Sequence, residues 1–492
     1  MKKPLKMLAF DFGASSGRAI LGTFDGEKLT TEEMHRFSND PVNIRGSLYW
    51  DTLRLFYEIK QGILKCVNSG HKDIASMAVD TWGVDFGLLD EKGNLLGNPY
   101  HYRDTRTDGM MEEVFKIIPR DELYSKTGIQ FMKLNTIFQL FSMKYYNSPL
   151  LREAKTLLLT PDLFNYFLTG VKSTEYSIAS TTQLLDPEKR EWSAEILERL
   201  GLPKHLFTSI VPSGTVISSL SKDIVHELGI GEISVIATAS HDTASAVASV
   251  PAIDEDYVYI SCGTWSLMGV EIDQPVINNK SSLLSFTNEG GVNNKIRFLK
   301  NIMGLWLVQE CKRQWDREGD KTSFAELEAM AREAKPFVSF VDPDHESFIS
   351  PGDMPNKIRE FCKNTNQPVP ESKGEVVRCI AQSLALKYRK TVESLQDILG
   401  KELPVIHMVG GGIKDTMLCQ FTANATGKEV MAGPVEATSI GNLMVQAMAL
   451  GEVKTLREVR QIVKKSFPTT IYEPQDVNAW NEAYEKFKKI VG

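Results

Sequence analysis

The chain alternates short apolar runs of strand length with stretches whose apolar residues recur at helical spacing, the signature of an α/β protein. Leu8, Ala9 and Phe10 form one apolar run, and Ala19, Ile20 and Leu21 form another. The small, polar, glycine-bearing segment between them predicts a β-hairpin. Residues 74–79 make a further strand that runs into Asp80-Thr81-Trp82-Gly83-Val84-Asp85. Residues 235–239 make a third, closed by Ser240-His241-Asp242-Thr243 and a helix of small residues over 244–250. After residue 250 the pattern starts again. A strand over 257–260, a Gly/hydroxyl turn at Gly263-Thr264 and a strand over 267–270 echo residues 8–22. Over 375–399, Val376, Ile380, Leu384, Tyr388, Val392 and Leu395 mark one face of a long helix that Gly400 stops. A buried strand over 405–409 then leads to Gly410-Gly411-Gly412 and a helix carrying Met417, Leu418 and Phe421.

The repetition predicts two α/β domains, 1–247 and 248–492, each opening on a hairpin of the same kind, with a ligand site in the cleft between them. A length of 492 residues suits two large domains. Apolar residues at 42% and charged residues at 24% exclude a disordered or fibrous chain. The formal net charge of −7 lacks the footprint of a nucleic-acid binder, so any anion must be held by a local site. Six cysteines without a C-x-x-C predict neither a zinc site nor a disulfide framework, and Cys362 and Cys379 are expected as reduced thiols. Asp11 interrupts the first apolar run too early for a signal peptide, and no window approaches the ~18 apolar residues of a membrane span. A soluble, cytoplasmic protein without nucleic-acid or membrane partners is expected.

A Gly/Ser-rich hairpin turns several backbone N–H groups to one side, where they receive phosphate oxygens. Gly13 and Gly17 permit close approach, Ser15 and Ser16 add hydroxyls and Arg18 adds a cation, while Asp11 is placed to hold a hydrated Mg²⁺. The second hairpin, at Thr264, would grip the same nucleotide from the other domain. Three consecutive glycines at 410–412, between a strand and a helix, predict a backbone on which a nucleotide packs, since each glycine costs conformational entropy. They match neither G-x-G-x-x-G nor a P-loop. Asp242, among small residues at a strand-to-helix junction, reads either as a helix cap or as a carboxylate that accepts a substrate proton during phosphoryl transfer. Trp82-Gly83-Val84-Asp85 and Tyr100-His101-Tyr102-Arg103-Asp104 mix aromatic faces with polar groups, as a sugar site does.

In this order, DFGASSGR (11–18), DTWGVDFGLLD (80–90), YHYRD (100–104), HDTASAV (241–247), CGTWSLMG (262–269), KNIMGLWL (300–307) and GPVEATSIGN (433–442) resemble the carbohydrate kinases of the glycerol kinase and xylulokinase family. That family is built on two actin-like ATPase (ribonuclease H-like) domains with an interdomain active-site cleft. The Phe-Gly-Gly-Tyr string behind its nickname is absent, and Gly441-Asn442 stands where many members have Gly-Ala. The resemblance implies that Ala14, Ser15, Ser16, Gly17 and Arg18 line the phosphates of ATP, with Thr264, Gln309 and Gly411 also on the nucleotide. It implies that Gly83, His241, Asp242, Thr243 and Asn301 contact a ketose and that Asp242 is the proton acceptor. The implied reaction is ATP- and Mg²⁺-dependent phosphorylation of L-rhamnulose at O1. Another ketose (L-fuculose, xylulose) or an ATPase switch of the actin or chaperone type stands as the alternative.

Overall fold

The computed structural model describes residues 3–491. The elements that frame the site are, in chain order, β1 (Leu5–Phe12), β2 (Ser16–Phe24), β3 (Leu29–Ser38), β4 (Ile74–Thr81), β5 (Thr215–Ser219), β6 (Ser234–Ala237) and α1 (Asp242–Ala248). They continue with β7 (Tyr257–Cys262), β8 (Trp265–Ile272), β9 (Thr287–Gly290), β10 (Ile296–Met303), α2 (Lys373–Leu399), β11 (Val405–Val409), α3 (Thr416–Thr426), β12 (Glu429–Ala432), α4 (Ala437–Ala449) and β13 (Thr470–Tyr472).

The chain folds into two compact units. The first contains the chain up to Ile253, Glu271–Phe298 and Ala437–Ser466; the second contains Asp254–Val270, Leu299–Glu436 and the chain from Phe467.

In the first unit, β1 and β2 are the expected hairpin, paired antiparallel from Leu5↔Phe24 to Phe12↔Gly17. The sheet order is β5-β6-β4-β1-β2-β3, with β4 parallel to both β1 and β6. Leu8, Phe10, Phe12, Ile59, Ile63, Met77, Val79 and Val235 form the core on one side of this sheet. On the other, α4 packs against β1, β4 and α1.

The second unit repeats the arrangement. β7 and β8 form an antiparallel hairpin, β7 runs parallel to β11 and β11 parallel to β12, and β13 closes the edge antiparallel. The long helix α2 begins with a Ser372/Glu375 capping box and ends at Gly400 in the left-handed conformation (φ 66°), so its stop is the one its sequence encodes.

Candidate active site

The backbone after β6 is tied to the end of β4 by a hydrogen bond from Thr81 N–H to the Ser240 carbonyl at 2.9 Å. His241 is the N-cap of α1 and Asp242 its first residue, so Asp242 is not the cap that its position allowed. Its Oδ1 accepts the Thr243 N–H at 2.5 Å and the Thr243 hydroxyl at 3.0 Å, and His241 Nε2 faces the same oxygen at 3.5 Å. Oδ2 carries no hydrogen bond from the described residues, and the side chain is 28% exposed. Burial holds the carboxyl above its ordinary range, opposed by His241 and reinforced by Asp11. One oxygen is thus anchored while the other is open to a proton.

Asp11 stands at the end of β1, opposite Asp80 on β4. Its Oδ2 accepts Arg18 Nε at 3.0 Å and Nη2 at 2.9 Å, together with the Ser439 hydroxyl at 3.1 Å. Asp80 is fully buried, and its Oδ2 accepts Asn442 Nδ2 at 2.5 Å. Gln446 braces that contact by donating to Asn442 Oδ1 at 2.7 Å while accepting the Ser76 hydroxyl at 2.7 Å. Burial first, and Asp11 next, push the Asp80 carboxyl well above its usual range. Among the described residues no group of three or more His, Cys, Asp or Glu side chains is placed to hold a metal. A single carboxylate such as Asp11 is nevertheless the donor set that Mg²⁺ uses when phosphates and waters supply the remaining oxygens.

Between β1 and β2, Gly13 N–H donates to the Ser16 carbonyl at 3.0 Å, and Asn39 clamps the turn through the carbonyls of Ser15 (3.1 Å) and Gly13 (2.8 Å). Ser15 is exposed at the tip, with Ala14 and Ser16 half-buried beside it. Gly17 has a packing reason: a Cβ there would collide with the Phe37 ring. Arg18 is held on Asp11.

Gly83 lies in a tight turn closed by Asp85 N–H on its carbonyl at 3.0 Å, and a Cβ there would press on Thr181 at 3.3 Å. Next to it Val84 has φ 71°, a conformation that a β-branched residue adopts only under constraint. The constraint is visible: Val84 N–H donates to Thr181 Oγ1 at 3.2 Å, and the Thr136 hydroxyl donates to its carbonyl at 2.6 Å. Asp85 gathers the aromatic residues. Its Oδ2 accepts Trp50 Nε1 (2.5 Å), Trp82 Nε1 (2.9 Å) and Tyr102 N–H (3.2 Å), and its Oδ1 accepts Gln139 Nε2 (2.8 Å). Trp50 packs against both Trp82 and His101 with ring centroids 4.0 and 4.1 Å away and the planes tilted by 31° and 33°. Burial pushes the Asp85 carboxyl up to about 6, and burial together with Arg103 and Arg106 pushes His101 down to about 3, leaving that imidazole neutral. Trp82 and Tyr102 therefore belong to the core of this unit as well as to the expected sugar region. No local motif points to Trp50 or Gln139, because only the fold brings them to Asp85.

In the second unit the Thr264 hydroxyl donates to Gln309 Oε1 at 3.1 Å, which joins two of the expected nucleotide residues. Asn301 is half-buried on β10. The glycine triplet resolves into three cases. Gly410 has φ 92°, a Cβ on Gly412 would strike Cys262, and only Gly411 is exposed with open space around it. Two of the three glycines therefore have structural reasons, contrary to the expectation for the triplet. Gly411 alone offers a bare backbone to a ligand.

Comparison with known proteins agrees with this architecture. Residues 6–249 match the N-terminal domain, and residues 258–450 the C-terminal domain, of the FGGY family of carbohydrate kinases. A rhamnulokinase of Bacteroides thetaiotaomicron is 47% identical over 483 residues, covering 98% of this chain and 99% of that protein. A rhamnulokinase of Oceanobacillus iheyensis is 45% identical, covering 94% and 97%. The crystal structure of gluconate kinase from Lactobacillus acidophilus superposes with a TM-score of 0.82 at 17% identity, covering 99% of this chain and 98% of that one, and shares the fold.

Proposed function

Since this chain belongs to the FGGY family of carbohydrate kinases, we propose that it transfers the γ-phosphoryl group of ATP to O1 of L-rhamnulose, giving L-rhamnulose 1-phosphate and ADP. The observation that carries the sugar is the near end-to-end similarity to proteins named rhamnulokinase. The chemistry is supported by Asp242, whose Oδ1 is tied to Thr243 while Oδ2 is open. In this reading Asp242 takes the proton of the attacking primary hydroxyl, a role that a burial-raised carboxyl suits. Gly83, His241, Thr243 and Asn301 hold the ketose. Ala14, Ser15, Ser16, Gly17 and Arg18 receive the phosphates, and Thr264, Gln309 and Gly411 are assigned to the nucleotide. Asp11 is assigned to Mg²⁺, which when bound supplies positive charge to the phosphate oxygens. Arg18, already on Asp11, holds that carboxylate in its orientation.

The test is ADP release measured against a panel of ketoses, ranked by kcat/KM. L-rhamnulose is expected to lead. A higher value for L-fuculose or xylulose would move the enzyme to another sugar, and turnover indifferent to every sugar would favour an ATPase switch. Asp242→Asn is expected to keep the fold and ATP binding and to lose roughly 10²- to 10⁴-fold in kcat. Near-normal activity in that variant would remove Asp242 from the role of base.

A further inference from the structure

His241 is gripped on one side by two charged residues that no local motif connects to it. Arg297, fully buried on β10, brings Nη2 to 3.0 Å from His241 Nδ1 and 3.2 Å from Glu289 Oε2. Its Nε donates to the Gly290 carbonyl at 2.8 Å, which fixes the plane of the guanidinium. Glu289, on β9 and also buried, lies 3.3 Å from the same Nδ1. On the far side of the ring, Nε2 faces Asp242 Oδ1 at 3.5 Å. The backbone is fixed too, because His241 N–H donates to Ser177 Oγ at 3.1 Å.

A guanidinium is all donor and never gives up its proton. An Nδ1 that accepts from Arg297 Nη2 at 3.0 Å offers its lone pair and leaves the ring proton to Nε2; an Nδ1–H turned to Glu289 Oε2 at 3.3 Å is the competing arrangement. Two carboxylates flank the ring, Glu289 and Asp242. Arg297 Nη2 reaches both Nδ1 (3.0 Å) and Glu289 Oε2 (3.2 Å). We propose that Arg297, held by Glu289, is a positioning residue for phosphoryl transfer: it locks His241 as the neutral Nε2–H tautomer and so aims one donor at Oδ1 of Asp242. With Oδ1 held by Thr243 and faced by the imidazole at 3.5 Å, Oδ2 is the oxygen presented to the substrate hydroxyl. An imidazolium would instead hold Asp242 in an ion pair and weaken it as a base. The proposal rests on the reading of Asp242 as the proton acceptor.

Two measurements test it. The first is nitrogen NMR of the full chain labelled at its eight histidines, with the His241 signal assigned by its loss in His241→Gln. At neutral pH the expected signature is a protonated Nε2 and a bare Nδ1, changing to an imidazolium or a tautomer mixture in Arg297→Lys. A wild-type His241 protonated on Nδ1 overturns the proposal, and this readout holds whichever sugar is phosphorylated. The second is a double-mutant cycle. Arg297→Lys is expected to lower kcat about tenfold with little change in the KM for ketose. In the His241→Gln background, where an amide donor needs no tautomer to be chosen, the same change is expected to cost less than about twofold. Equal losses in both backgrounds would make Arg297 a structural residue and overturn the proposal. A chain that phosphorylates no ketose defeats the proposed function and leaves the NMR result standing by itself.

Discussion

Gly441 meets Ser245 with no space for a side chain: a Cβ on Gly441 would fall on the Ser245 carbonyl oxygen. The contact fixes how closely α4 lies on α1. Because α1 starts with Asp242 and α4 carries Ser439 and Asn442, it also sets Asp242 relative to the residues that hold Asp11 and Asp80. Gly441→Ala must push the helices apart or bend one of them, and overpacking of this kind costs about 1–3 kcal/mol. The expected result is a lower melting temperature together with reduced kcat. Unchanged melting would mean that the helices separate freely.

Asp85 makes stability depend on pH in a predictable direction. Its folded pKa, pushed up to about 6 by burial, exceeds the 3.8 of an ordinary carboxyl. The contribution is thus fully present below about pH 4 and is lost as pH rises through about 6, amounting to at most roughly 3 kcal/mol. Asp85→Asn has no such term. Its stability relative to the parent, measured by denaturant melts from pH 4 to 7, is expected to climb across that window even if the lost hydrogen bonds lower it throughout. A flat difference would contradict the assigned shift.

Asp11→Asn removes the carboxylate assigned to Mg²⁺ while leaving room for the Arg18 and Ser439 contacts. The Mg²⁺ concentration for half-maximal activity is expected to rise roughly 10- to 100-fold, with the KM for ketose nearly unchanged. An unaltered Mg²⁺ requirement would remove Asp11 from the metal site.

All six cysteines are free and buried. Cys362 and Cys379 are neighbours, and the hydrogen bond from Cys379 holds the Cys362 thiol below its ordinary value. Six titratable thiols are expected in denaturant without reductant, and few in the native protein. A count of four would indicate a disulfide between this pair.

Much of the scaffold was legible because its strands are short, apolar and bounded by glycine or hydroxyl residues. The hairpins at 5–24 and 257–272, the strand over 405–409 and the Gly400 stop follow from local pattern alone. Asp242 was legible as a carboxylate among small residues at a strand-to-helix junction. Its neighbours were not. Glu289 and Arg297 lie about fifty residues beyond His241, and Trp50 meets Asp85 only because sheet order and register bring them together. Positive φ at Val84 runs against the local preference of valine, so no propensity argument points to it. Asn442 was visible only as a departure from the family's Gly-Ala; the structure gives it a partner in Asp80.

The buried Asp80 receives its hydrogen bond from a helix more than 350 residues further along the chain. On a ribosome adding ~5–20 residues per second, β1 and β4 emerge tens of seconds before α4 does. Through that interval Asp80 has neither Asn442 nor the cover of α4, and burying it unpaired would cost free energy. The first unit therefore cannot mature in the order in which it is made: the acidic floor beneath its β1–β2 hairpin stays unfinished until a helix near the end of the chain has been synthesised.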